Sequence, residues 1–183
     1  MNTQKGPTGM DIINGMRQHL EKFIAESMNK EDTDIDTTFD VLTGWLAVAD
    51  ALDIITDREY NDATSDVYHY LTGLRTDPIT FPLLSEHYLK DAGMQEALLT
   101  LRINLQERLN ENFRKYREHS ALVEYTKSDV IAANMLFIAF ATEFRIIEDK
   151  DIDKANKVVE EYVHDNVKTE KVIFVPEAFY TKR

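Results

Sequence analysis

Residues 36–71 align with residues 128–163 at a constant offset of 92, without a gap. Ala47, Ala49, Ile54, Ile55, Asp57, Ala63, Val67 and Tyr70 meet Ala139, Ala141, Ile146, Ile147, Asp149, Ala155, Val159 and Tyr162 as identities. Apolar exchanges add Phe39 with Ile131, Trp45 with Phe137, Leu46 with Ile138 and Leu52 with Phe144. At an offset of 93, Ile12, Met16, Leu20 and Phe23 meet Leu105, Leu109, Phe113 and Tyr116, so one insertion or deletion in a loop reconciles the two registers. Any two amphipathic helical hairpins share apolar spacing, and the alignment has eight identities in 36 positions. The Ile-Ile pair before each last helix is its strongest element. We read it as a duplication of a three-helix unit, with two copies packed about a pseudo-two-fold.

The spacing of apolar residues gives the elements of each copy. The first helix spans 10–28, with Ile12, Ile13, Met16, Leu20, Phe23 and Ile24 on one stripe. Thr8 is its cap, and Asp11 stands at a capping-box spacing. After the polar loop KEDTDID, Asp36 caps a helix over 37–53. Gly44, Ala47 and Ala51 there would let another helix approach closely. Thr56 and Glu59 form a second capping box for a helix over 57–71, which stops at Gly73. Tyr60, Ala63, Val67, Tyr70 and Leu71 are its inner face; Glu59, Asp62, Asp66 and His69 its outer face.

GLRTDPITFPLL (73–84) holds two prolines and reads as an ordered linker, followed by a short helix near 85–92. A long helix covers 94–118. Ser128 caps the next, 129–145, and a last helix covers 149–164. The run VIAANMLFIAFA is apolar all round but too short to span a bilayer, so it reads as core. The helices 37–53 and 129–145 are expected to face each other in the centre. The tail EKVIFVPEAFY is β-like up to Pro176. The expected fold is therefore all-α: one domain of duplicated three-helix units, 10–72 and 94–164, forming a helical bundle. A linker with a short helix joins them over 73–93, and a short β-like C-terminal arm covers 165–183.

Charge narrows the function. The chain of 183 residues carries 21 Lys plus Arg against 33 Asp plus Glu, a net charge of -12. Nucleic-acid binding runs on cations that neutralise phosphates, so this balance argues against it, and against an anionic membrane. Residues 30–71 hold eleven acids and two bases, net -9, which is three quarters of the excess. Such a surface repels anions and attracts a basic partner, or else serves only as a solubilising face. Cysteine is absent, which removes disulfides and thiolate chemistry, and the polar start MNTQKGPTG lacks a secretory h-region. A cytoplasmic protein is expected.

Motifs for chemistry are few. Asp149, Asp151 and Asp153 with Glu160 have the alternation of a calcium loop, but Lys154 stands where the turn needs glycine. The run Asp32, Asp34, Asp36 has Thr43 at the twelfth position and fits worse. Glu161 and His164, like Asp66 and His69, have the spacing of a carboxylate-bridged metal site. The helical phase turns both pairs outward. No nucleophile-base pair, phosphate loop or dinucleotide fingerprint is present. Trp45 reads as core, and Arg108, Arg114, Lys115 and Arg117 as helix-surface partners of Glu107, Glu111 and Glu118. No catalytic residue, metal or cofactor is assigned.

The expected function is that of a non-enzymatic, acidic protein-binding module. Its candidate partner-binding residues are Asp32, Asp34, Asp36, Asp40, Asp57, Glu59, Asp62 and Asp66. At its sharpest, this row stands in for nucleic-acid phosphates and occupies the basic channel of a nucleic-acid-handling protein. It then resembles in kind the small acidic helical inhibitors of phage and mobile elements, such as anti-restriction and anti-CRISPR proteins, with no shared family motif. The module is itself expected to be a homodimer; the alternative function is that of a self-associating scaffold held by the long helix and the apolar arm. A helical metal-dependent hydrolase is a third class, which would require bound metal.

Overall fold

A computed structural model describes residues 6–29, 34–119 and 127–163. Among these the chain is all-helical: α1 Gly9–Met28, α2 Ile35–Ala51, α3 Asp57–Leu71, α4 Met94–His119, α5 Lys127–Glu143 and α6 Asp149–Val163. The C-terminal arm and Asp32 lie outside the described residues. No described helix is long and apolar enough to cross a membrane.

The chain divides into two compact units, Met1–Ala97 and Leu98–Arg183. In the first unit, α2 and α3 form a hairpin. Phe39, near the start of α2, meets Tyr68, near the end of α3, with ring centroids 5.9 Å apart. The two helices are therefore antiparallel, joined at the other end by residues 52–56. α1 packs on α2, where Phe23 stacks on Trp45 at 3.9 Å between centroids. Ile13, Leu20, Ile24, Leu42, Leu46, Leu52 and Val67 are sealed from solvent and form the core. In the second unit α5 and α6 pair in the same way. Leu101, Leu105, Leu109 and Phe113 supply the buried stripe of α4.

Both hairpins are built on one register. The bounds of α2 and α3 become those of α5 and α6 when 92 is added. Thr38, Leu42, Leu46, Val48, Ala49, Leu52, Ala63 and Val67 are buried, and so are Val130, Asn134, Ile138, Phe140, Ala141, Phe144, Ala155 and Val159. The corners agree bond for bond. The amide of Ile54 donates to the Ala49 carbonyl at 2.8 Å, and that of Asp53 to Asp50 at 2.9 Å. In the second unit Ile146 donates to Ala141 at 2.8 Å and Arg145 to Thr142 at 3.1 Å. This is the pattern of a Schellman cap, which satisfies the carbonyls a helix end leaves orphaned. It needs a left-handed residue after the cap, and Asp53 (φ 57°) and Arg145 (φ 53°) take that place.

A left-handed conformation strains an arginine, whose Cβ crowds the next carbonyl; aspartate tolerates it better. Arg145→Gly is therefore expected to stabilise the second unit by about 0.5–1 kcal/mol, after the added chain entropy of glycine is subtracted. The urea midpoint should rise at unchanged slope. A fall in the midpoint would mean the Arg145 side chain contributes more than its backbone strain costs.

Several expected boundaries move. The cap of α2 is Asp34, whose side chain accepts from the Thr37 amide at 3.0 Å, so the helix starts two residues before the expected one and Asp36 lies in its first turn. Both aspartates precede the same run of helically spaced apolar residues, and only the backbone shows which one turns. α5 begins at Lys127, which places Ser128 inside the helix. The short helix near 85–92 is absent. Turns stand there instead, closed by Lys90 to His87 and Ala92 to Leu89 hydrogen bonds.

The reason lies in α1, which takes the backbone of residues 81–84, just before this segment, and the Ala92 carbonyl at its end. Asn14 exchanges two bonds with Leu84, donating to its carbonyl at 3.2 Å and accepting from its amide at 2.9 Å. The Glu21 carboxylate accepts from the Phe81 amide, Arg17 donates to the Pro82 carbonyl at 2.8 Å, and Gly9 donates to the Ala92 carbonyl at 2.7 Å. Asn14, Arg17 and Glu21 stand at helical spacings of three and four, so one face of α1 holds an extended strand of chain. A helix at 81–84 would have consumed those amides and carbonyls itself.

Candidate functional site

The antiparallel hairpin separates the acids that lie close in sequence. α2 is 17 residues long, about 25 Å at 1.5 Å per residue. Asp34, Asp36 and Asp40 sit at its start, beside Tyr68 and the end of α3. Asp57, Glu59 and Asp62 sit at the start of α3, at the opposite end. The predicted row is thus two groups, with Asp66 on the way between them.

Within these groups the carboxylates do different work. Asp34 is exposed but engaged in capping, and the Thr37 side chain and amide hold its carboxyl below the usual aspartate range. Asp62 makes an exposed i,i+4 pair with Arg58 at 3.6 Å, a geometry that contributes little to stability. Asp66 is paired with Arg75 from the segment after α3. Asp36, Asp40 and Asp57 are exposed, and no cation pairs with them among the described residues.

Glu59 departs most from the expected outer face. Its carboxylate takes both ends of the Arg17 guanidinium, with Nη1 to Oε2 at 3.0 Å, while Oε2 also accepts from the Thr56 amide at 2.8 Å. Arg17 is fully buried on α1. Besides Glu59 and Pro82, it donates to the Ile54 carbonyl at 3.0 Å, and its guanidinium lies over the Phe81 ring at 5.6 Å. Burial opposes ionisation of Glu59. The hydrogen bonds from Arg17 and Thr56 and the Arg17 charge outweigh it, and the carboxyl lies below its ordinary range. Sequence reading missed Arg17 because it treated α1 as an apolar stripe with polar residues outside. The available signal was its phase: it stands one turn from both Ile13 and Leu20, which are buried.

The second unit builds the same corner from other residues. Arg102, on α4, donates from Nε to the Ile146 carbonyl at 2.6 Å and approaches Glu148 at 3.4 Å. Ile146 is the counterpart of Ile54 at the offset of 92, yet Arg102 is not the counterpart of Arg17 at 92 or at 93. Asp151 occupies the register of Glu59. It is 3% exposed, its Oδ1 has no hydrogen-bond partner among the described residues, and Lys154 is 3.9 Å away. Along α4, Arg108, Arg114 and Lys115 converge on Glu111 at 3.2–3.8 Å. Hydrogen bonding from Lys115 lowers the Glu111 carboxyl first, against partial desolvation.

No group of three or more acidic or histidine side chains among the described residues could hold a metal ion. Asp66 of the Asp66–His69 pair is committed to Arg75, and His164 of the second pair lies outside the described residues. No family model matches the chain, and neither a curated protein nor a solved structure matches it.

Proposed function

We propose that this chain is a non-enzymatic protein-binding module whose acidic first unit docks on the basic surface of a nucleic-acid-handling partner, as an inhibitor of the phage or mobile-element kind. One observation carries the reading. Of the excess of twelve negative charges, nine fall in residues 30–71, and Asp36, Asp40, Asp57 and Asp62 present carboxylates there to solvent. Exposed like charges steer a basic partner and raise its rate of encounter. Glu59 and Asp66 are withdrawn from the docking set, because Arg17 and Arg75 already neutralise them. We also propose that the two hairpins arose by duplication, and that the acid excess of the first copy was acquired for docking; the shared register and corner bonding support this.

The test is affinity capture from source or host lysate at low and high salt, with wild type and the Asp40→Lys/Asp62→Lys double variant. One reversed charge lies at each end of the hairpin, and neither residue is buried. A basic partner should be captured by wild type at low salt and released at high salt. Its affinity for the variant should be at least about tenfold weaker. Equal capture by the variant at both salts overturns the reading. The exposed Met94 and Met135 side chains favour a second reading, self-association as a homodimer. Light scattering that returns a monomer mass at micromolar concentration would sink it.

A further inference from the structure

The acids of the first unit are not equivalent, and two of those left without a cation, Asp36 and Asp40, border exposed apolar surface. Glu59, Asp62 and Asp66 each meet an arginine of their own unit. Asp36 and Asp40 meet none among the described residues. Beside them, Ile35 is 47% and Tyr68 53% exposed. Phe39 lies between, half-buried, and touches the Tyr68 ring edge-on. Ile35 and Phe39 are one helical turn apart, as are Asp36 and Asp40, so α2 presents an apolar row and an acidic row about 100° apart around its axis.

We infer that this end of the α2–α3 hairpin binds a basic amphipathic segment of a protein, in which Lys or Arg flanks an apolar stripe. This rests on the acidic-docking reading above and narrows it to one end of one hairpin. Charge complementarity selects the basic side of the occupant. The i,i+4 spacing of the two aspartates matches cations one turn apart on a facing helix. The apolar row selects the other side: tyrosine with an aliphatic neighbour is the composition of an interface centre, and charge is that of its rim. A surface that only imitated phosphates would have no use for an exposed isoleucine and tyrosine there. Because apolar burial is not screened by salt, binding at this place should keep a salt-resistant part.

The experiment uses the full chain, labelled with nitrogen-15, and two synthetic probes. One is an amphipathic helical peptide with lysines on one face and leucines on the other; the second is an oligolysine of equal charge. The amphipathic peptide should bind about tenfold more tightly. It should retain binding at high salt and shift the amides of residues 35–41 and 64–72. Tyr68→Ala should weaken it about tenfold without changing oligolysine binding, and Ile35→Ser should act in the same direction. Asp36→Asn/Asp40→Asn should remove the salt-dependent part. If both probes bind equally and Tyr68→Ala changes nothing, the amphipathic occupant is overturned while acidic docking stands. Shifts confined to residues 57–62 overturn the placement. If neither probe binds, both readings fall.

Discussion

Arg17→Ala is expected to destabilise the first unit by about 3–5 kcal/mol, the usual result of removing one partner of a buried ion pair. One guanidinium satisfies the Glu59 carboxylate, the Ile54 carbonyl at the α2–α3 corner and the Pro82 carbonyl of the extended segment. Truncation leaves those acceptors short of a donor and opens a cavity over Phe81. Arg17→Met is the informative companion. It refills the space without the charge, so any loss it shows measures the unpaired acceptors. Equilibrium urea unfolding, followed by the fluorescence of the single Trp45 stacked on α1, reports this unit. A loss below about 1 kcal/mol for Arg17→Ala would show that the pair is not buried as described.

The same pair sets an acid limit. Glu59 has a folded-state pKa below its ordinary 4.5. Such a group adds stability that is fully present above the unfolded value and is lost as pH falls through the folded one. Wild-type stability should therefore decline below about pH 4.5, and part of that slope should vanish in Glu59→Gln. The variant should start from a lower stability at neutral pH, since the amide cannot answer the buried charge of Arg17. Parallel pH profiles for wild type and Glu59→Gln would contradict this.

Gly9→Ala carries the second large effect, about 3 kcal/mol of destabilisation at the upper end of overpacking costs. A Cβ there would lie 2.0 Å from the Leu89 carbonyl oxygen and 2.9 Å from its carbon, both backbone atoms that cannot rotate away. The segment 89–92 would have to lift, breaking the 2.7 Å bond from Gly9 to Ala92. Gly15, six residues along the same helix, is an internal control. Nothing lies within 4 Å of its Cβ position, so Gly15→Ala should stabilise by about 0.5–1 kcal/mol through helix propensity. Opposite signs from two glycines of one helix are the expected outcome. Equal signs would remove the close approach of residue 89 to α1.

Much of this architecture was legible in the chain. Apolar residues at 3.6-residue spacing located six helices, and the capping boxes Thr8–Asp11 and Thr56–Glu59 identified the caps of α1 and α3, although α1 starts at Gly9, one residue before the expected start. Gly73, left-handed at φ 75°, marked the end of α3. These signals are local: a cap or a stripe requires only neighbours within a turn or two. The alignment at 92 also marked the paired corners, because Ile54 and Ile146 must be apolar to follow a left-handed residue into the core.

What the chain could not show is how its charges and its extended segments are spent. Eleven acids within 42 residues look like one stripe in sequence. The antiparallel turn at residues 52–56 sends them to opposite ends of a hairpin, and arginines from 17 and 75 neutralise two of them. Asn14, Arg17 and Glu21 looked like polar positions of an amphipathic helix, yet they hold residues 81–84 by their backbone. Those partners lie 60 to 70 residues away. Side-chain spacing along a helix encodes which face is buried. The depth of a charged group and the identity of its partner depend on which distant backbone is brought to that face, and only the tertiary structure decides it.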